Sequence, residues 1–228
     1  MKTNFTKLLS VCFFLFLGYG VMAQDTRNVG ETHTYSVTAE NGANALSWTV
    51  TGGGAQGTAW DLQNGTTLTD ASIDILWKQA GTYTLTFTEN EDHGGSVICS
   101  TVKTATVTVG DNFDVSIADA VSDCATGSTG NSTVDYILTK TNGAADWTFD
   151  YATTGLTPEL SGTAVAVSGN TYTLTLTVPN LAAGADQTFS VTISNVKDSF
   201  GNSDNTVGNN VTGDVTIYGV PNTGNITF

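Results

Sequence analysis

Apolar residues recur at every second position in run after run of this chain, and helical spacing is almost absent. Tyr35, Val37 and Ala39 alternate with polar residues, as do Leu46, Trp48 and Val50, then Ile73, Ile75 and Trp77, Tyr83, Leu85 and Phe87, and Ala105, Val107 and Val109. A second series follows: Phe113, Val115 and Ile117; Val134, Tyr136 and Leu138; Trp147, Phe149 and Tyr151; Tyr172, Leu174 and Leu176; Phe189, Val191 and Ile193; Val215 and Ile217. Each run predicts a strand with one buried and one wet face, the pattern of a β-sandwich. Turn-forming clusters separate the runs: Gly52-Gly53-Gly54, Asn64-Gly65, Gly94-Gly95, Asn142-Gly143 and Ser168-Gly169-Asn170. Thr fills most outward positions, which accounts for 41 Thr in 228 residues, because a β-branched side chain suits a pleated, half-wet surface.

Three segments return. Thr82–Thr88 (TYTLTFT) matches 171–177 (TYTLTLT), LSWTV at 46–50 matches ADWTF at 145–149, and TVTVG at 106–110 matches DVTIYG at 214–219. The order is the same in each half, which predicts a tandem duplication with unequal loops. The boundary falls at Gly110-Asp111-Asn112, too short for a flexible linker. Residues 24–110 and 111–228 are therefore expected to be two sandwiches held nearly rigid to one another.

The first 23 residues read as a cleaved secretory signal. Lys2 and Lys7 form a positive start, Leu8 to Leu17 is apolar, and Val21-Met22-Ala23 places small residues before a new N-terminus at Gln24. The apolar run is too short to span a bilayer. Without the signal the formal charge is 5 − 21 = −16. So acidic a chain repels polyanions and offers no basic membrane patch, which argues against nucleic acid and anionic lipid as partners. Cys99 and Cys124 remain in a disulfide-permissive compartment, and two readings stand: a bridge, or two small buried hydrophobes. Tandem domains laid end to end would hold them tens of ångströms apart, against the roughly 7 Å that a bridge tolerates.

Residues 24–110 resemble the PKD-like, immunoglobulin-like domains of bacterial surface proteins. Trp48, the stretch Trp77-Lys78-Gln79-Ala80-Gly81-Thr82-Tyr83-Thr84-Leu85 and the closing Thr106-Val107-Thr108-Val109 carry the likeness. The family's GDG turn is replaced here by Thr51-Gly52-Gly53-Gly54, nearer to divergent modules of secreted Bacteroidota proteins, which often carry a Cys where Cys99 stands. Residues 111–228 resemble a bacterial Ig-like domain, Asp198-Ser199-Phe200-Gly201-Asn202 being similar to its D-x-x-G-N hairpin. The resemblance implies an extracellular setting and a shared fold, not an activity.

Catalytic patterns are poor. His33 and His93 are the only histidines, and no nucleophile–base spacing accompanies them. His33 is expected on the outward phase of the first strand, His93 in an acidic turn. Calcium is the sharper chemical idea: Glu89, Glu91 and Asp92, then Asp111 and Asp114, then Asp198 and Asp204 are clusters of hard oxygen donors. The alternative is a solvated acidic surface. Trp60 breaks the alternation around it, so it is the candidate glycan platform, with a core position as the competing reading. Sequons at Asn64, Asn131, Asn210 and Asn225 are of the kind a chain rich in Asn and Thr makes by chance, and Val220-Pro221-Asn222-Thr223-Gly224 only brushes a sorting pattern. Asn225-Ile226-Thr227-Phe228 could pair with a sheet edge.

The expectation is therefore an exported, non-enzymatic structural or protein-interaction module of the cell envelope or surface, such as an adhesin or secretion-assembly accessory. It would be secreted, with the periplasm left open, and would partner an envelope or surface protein through edges and loops. The alternative is a carbohydrate-binding module centred on Trp60.

Overall fold

The computed structural model describes residues 23–94, 97–127, 130–180, 185–204 and 212–221. Residues 1–22 of the expected signal, Asn210 and the 225–228 strand lie outside them, and the signal's last residue, Ala23, opens the first strand. The described chain is all-β, with fifteen strands and no helix. In the N-terminal half these are β1 (Ala23–Asn28), β2 (Thr32–Ser36), β3 (Ala45–Gly52), β4 (Trp60–Gln63), β5 (Ser72–Trp77), β6 (Gly81–Asp92) and β7 (Ile98–Gly110). They form two sheets, ordered β1-β7-β6-β3 and β2-β5-β4. The C-terminal half adds β8 (Asp114–Ile117), β9 (Asp123–Cys124), β10 (Asn131–Thr141), β11 (Asp146–Thr154), β12 (Ser161–Ser168), β13 (Thr171–Pro179), β14 (Gln187–Asp198) and β15 (Val215–Tyr218). Its sheets are β13-β10-β8 and β12-β11-β14-β15-β9. Among the described residues no strand ladder crosses from one half to the other.

The predicted inward positions are the core. Trp48, Ile73, Ile75, Trp77, Tyr83, Leu85 and Phe87 are buried in the first half, and Tyr136, Leu138, Trp147, Phe149, Phe189, Val191 and Ile193 in the second. Thr faces outward between them, so a one-residue slip would turn each core set to water. The sheets stack through these side chains in the manner of an immunoglobulin-type sandwich.

The pairings sort the three internal matches. β3 and β11, the two Trp strands, occupy the same place: each lies beside the strand that pairs with the closing strand (β6 beside β7, β14 beside β15). The closing strands also agree, each pairing in parallel with a short earlier strand, β7 with β1 and β15 with β9. The TYTL match does not. β6 pairs with β3, whereas β13 lies in the other sheet, paired with β10 and meeting β11 only across the core, where Tyr172 packs on Phe149. This third match is a coincidence of Thr-rich alternation, and the strand equivalent to β6 is β14.

Candidate interaction surface

Two titratable groups of the C-terminal half, Asp198 and Lys140, are buried in its hydrogen-bonded loops. Asp198, 6 % exposed, accepts hydrogen bonds from Ala144 N (2.8 Å), Phe200 N (3.0 Å), Asn202 N (2.8 Å) and Asn202 Nδ2 (2.9 Å). The D-x-x-G-N segment is thus a turn locked by its own aspartate. Beside it Lys140 is buried, with Nζ donating to Asn142 O at 2.8 Å. Burial pulls this ammonium below the usual lysine range, and the Asp198 charge opposes that pull.

The same turn reaches the other half. Asn202 Nδ2 donates to Lys78 O at 3.0 Å, and Lys78 Nζ stands 5.5 Å from the centre of the Phe200 ring. Gly143 N donates to Val29 O at 2.9 Å. Gly143 has φ 71°, and a Cβ there would meet both the Phe113 ring and Asp198 Oδ2 at under 3 Å, so only glycine fits. Asn112 bridges the short connection, donating to Asn28 Oδ1 and accepting from Asn142 Nδ2. The junction is therefore a set of direct bonds between loops of both halves.

The expected ligand groups are placed elsewhere than a ligand would need. Trp60 is 4 % exposed, directly opposite Trp77 in the β4–β5 ladder. The glycan platform is corrected to a core position, because an indole packed between sheets offers no face to a sugar. His33 is also corrected: it shares the phase of Tyr35 and faces inward, 3.0 Å from Arg27 Nη2. Arg27 further bonds Asp25 and Glu31, and Tyr35 OH donates to Asp25 Oδ2 at 3.1 Å, so the group ties β1 to the β2 sheet. Burial works to raise the Asp25 carboxyl, but the hydrogen bonds from Arg27 and Tyr35 outweigh it and hold it low.

The acidic residues considered for calcium are dispersed. Glu89 turns inward and accepts from Asn44 Nδ2 (2.7 Å), Glu40 N (3.0 Å) and Asn41 N (3.4 Å). The Asn44 bond, helped by the two backbone bonds and opposed by desolvation, holds its carboxyl below the ordinary glutamate value. Glu91 stands 3.4 Å from His93 Nε2, while Asp204 accepts from Val115 N at 3.1 Å. Asp92 caps Gly94 N, Asp111 is exposed, and one oxygen of Asp114 is buried. Among the described residues no three His, Cys, Asp or Glu gather as a cation site. Cys99 and Cys124 are free and exposed, neither bridged nor buried. Cys99 lies eleven residues along β7 from Gly110, about 36 Å at strand rise.

What remains on the surface is the outer end of the β6–β7 ribbon. β7 runs Ile98–Gly110, but among the described residues its outer edge is paired only over Ala105–Gly110, by β1. Residues 98–104 are exposed, including Ile98 at 62 % and Val102 at 55 %. Behind them an apolar slot of about 270 Å³, lined by Tyr35, Val37, Trp48, Leu85, Phe87 and Ala105, opens where β1 begins at Ala23. Sequence reading starts this strand only at Ala105, since Ile98 and Val102 fall in the opposite phase to Ala105, Val107 and Val109. That switch of phase was the available signal: apolar residues moved to the outer face mark strand outside the sandwich.

No protein-family model matches the chain, and no curated protein matches it significantly. Solved structures similar to it include the fibronectin(III)-like modules of Clostridium thermocellum CbhA (11 % identity, 92 % of this chain and 97 % of that one, TM-score 0.27). A chimeric titin Z1Z2 tandem matches at 12 % identity over 89 % of this chain and 97 % of that one, TM-score 0.27. Protocadherin gammaB7 EC3-6 matches at 10 % over 86 % of this chain and 46 % of that one, TM-score 0.28. At such TM-scores the superpositions carry no argument, and the sandwich assignment rests on the strand ladders.

Proposed function

We propose that this chain is an exported, non-enzymatic interaction module of the cell envelope or surface, built as two PKD-like or Ig-like sandwiches, 24–110 and 111–228, behind a cleaved signal. Its partner is an envelope or surface protein. The observation that carries this reading is the β6–β7 ribbon, where an edge unpaired among the described residues lies beside exposed Ile98 and Val102. Strand edges bind through backbone hydrogen bonds, so such a surface suits protein partners. The hydrogen bonds between the loops of the two halves support a rigid spacer that holds the ribbon at a fixed distance from the C-terminal end.

The test is cross-linking on intact producing cells, with Val102→Lys as the matched variant. Envelope or surface proteins captured by the wild type and lost with Val102→Lys support the reading. Capture unaffected by Val102→Lys and by edge changes elsewhere, or a protein found only in the cytoplasm, would sink it.

A further inference from the structure

The uncovered part of β7 is complementary to itself. Val29 N donates to Gly110 O from the β1 side, and backbone groups alternate along a strand. The even-numbered residues Ile98, Ser100 and Val102 therefore aim their N–H and C=O groups at the open edge, while odd-numbered ones bond β6. The same even-numbered side chains lie on the outer face with Thr86 and Thr88, opposite the core face of Leu85 and Phe87.

We infer that this edge pairs with the same edge of a second copy, antiparallel about a two-fold axis through Ser100. The inference rests on the interaction-module reading and names its partner. Centred on Ser100, the register sets Ile98 of one copy opposite Val102 of the other, twice by symmetry, and Ser100 opposite Ser100. Each pair is hydrogen-bonded, and the two exposed aliphatics cover one another. Moving the axis to Thr101 would set Ile98 against Thr104 and Val102 against Ser100, leaving both aliphatics without an apolar partner. The Ser100 register is the one that the side chains select.

Charge agrees. The chain carries 21 acids, yet Val97 to Val102 has none, and Lys103 closes the segment. The acidic ends of the two β6 strands, with Glu91 and Asp92, stay three strand spacings apart, about 14 Å. That exceeds the screening length of about 8 Å at physiological salt. Lys103 meanwhile lies on the same face as Glu91 of the second copy. The two-fold contact is isologous and closes, so it yields a dimer and not a fibre.

The experiment uses the exported chain with Cys99→Ser and Cys124→Ser. In that background Ser100→Cys places two thiols opposite each other at a hydrogen-bonded pair, about 5.5 Å between Cα atoms, within disulfide range. With copper-phenanthroline as oxidant we expect a disulfide-linked dimer as the main product, while Thr163→Cys on the exposed strand β12 stays monomeric. Ile98→Cys mixed with Val102→Cys should cross-link, and each alone should not. By sedimentation, Val102→Lys should weaken self-association at least about tenfold at an unchanged melting temperature. Ser100→Cys cross-linking no faster than Thr163→Cys, or a wild-type monomer throughout the micromolar range, would overturn the dimer. A monomer that still captures a foreign envelope protein through Val102 overturns it too, while leaving the interaction-module reading in place.

Discussion

Both halves solve one problem, anchoring the strand that follows the crossover between sheets, and they use different side chains. In the N-terminal half Tyr83, at the start of β6, sends its hydroxyl back to Gln79 O at 2.9 Å. Its ring lies against Gly53, where φ is 56° and a Cβ would run into the ring itself. In the C-terminal half the equivalent strand β14 starts with Gln187, 9 % exposed, whose Nε2 donates to Pro179 O at 2.7 Å. A tyrosine corner is thus one of several ways to tie a strand back to the chain before it. What the sandwich needs is a buried donor at the strand's first turn. Residue identity follows from the neighbouring space: a glycine bed admits the aromatic ring, and a short return loop admits the amide.

The comparison can be broken most forcefully at its largest side chains. Trp60→Ala removes half of the Trp60–Trp77 ladder pair, and we expect a loss of about 3–5 kcal/mol in urea unfolding, with no glycan affinity to lose. The C-terminal half has no matching Trp pair, and there the largest effect is expected from Asp198→Ala. It strands the buried Ala144 and Asn202 amides for about 3 kcal/mol and loosens the junction. Two unfolding transitions in place of one, seen by calorimetry, would report that loosening. Next come the paired ties: Tyr83→Phe and Gln187→Met should each cost about 1 kcal/mol by chemical denaturation. A cost at Tyr83 alone would show that the Gln187 bond does no equivalent work. The smallest effect is pH-dependent. The Glu89 carboxyl is held below its ordinary 4.5, so its contribution is complete above about pH 4.5 and fades as pH falls through the lower folded value. Melting curves of wild type and Glu89→Gln should converge on acidification. A gap that stays constant would contradict the Glu89 bonds.

Strand positions and core were legible because period-two alternation is a direct imprint of a half-buried sheet: most of the inward residues named from the sequence are buried, and the rest, such as Tyr35 and Leu46, are half-buried. The equivalence of Trp48 and Trp147 was legible too. The TYTL pair misled because alternating Thr and aliphatics record exposure, not which strand lies alongside. Trp60 misled for the opposite reason. β4 is four residues long, with a buried Ala59 before the ring and half-buried Asp61, Leu62 and Gln63 after it, so too few positions exist to show a phase. The role of Asp198 was half legible: the D-x-x-G-N spacing announced a turn, but the bond from Asn202 to Lys78 joins residues 124 apart, and no local pattern reports that. The dispersal of the acids was equally invisible, since a carboxylate that caps a backbone reads like one in water.

The parallel pairing of entry and exit strands has a mechanical meaning. In the N-terminal half the chain enters along β1 and leaves along β7, side by side over six register pairs from Ala23↔Ala105 to Asn28↔Gly110. Tension applied to the two ends slides these strands past each other, so the six pairs resist together in shear. An antiparallel hairpin pulled at its ends would instead unzip one rung at a time. The corresponding contact of the other half, β9 with β15, has two pairs, Asp123↔Ile217 and Cys124↔Tyr218. Stretched between optical traps, the C-terminal half should yield first and at lower force than the N-terminal half.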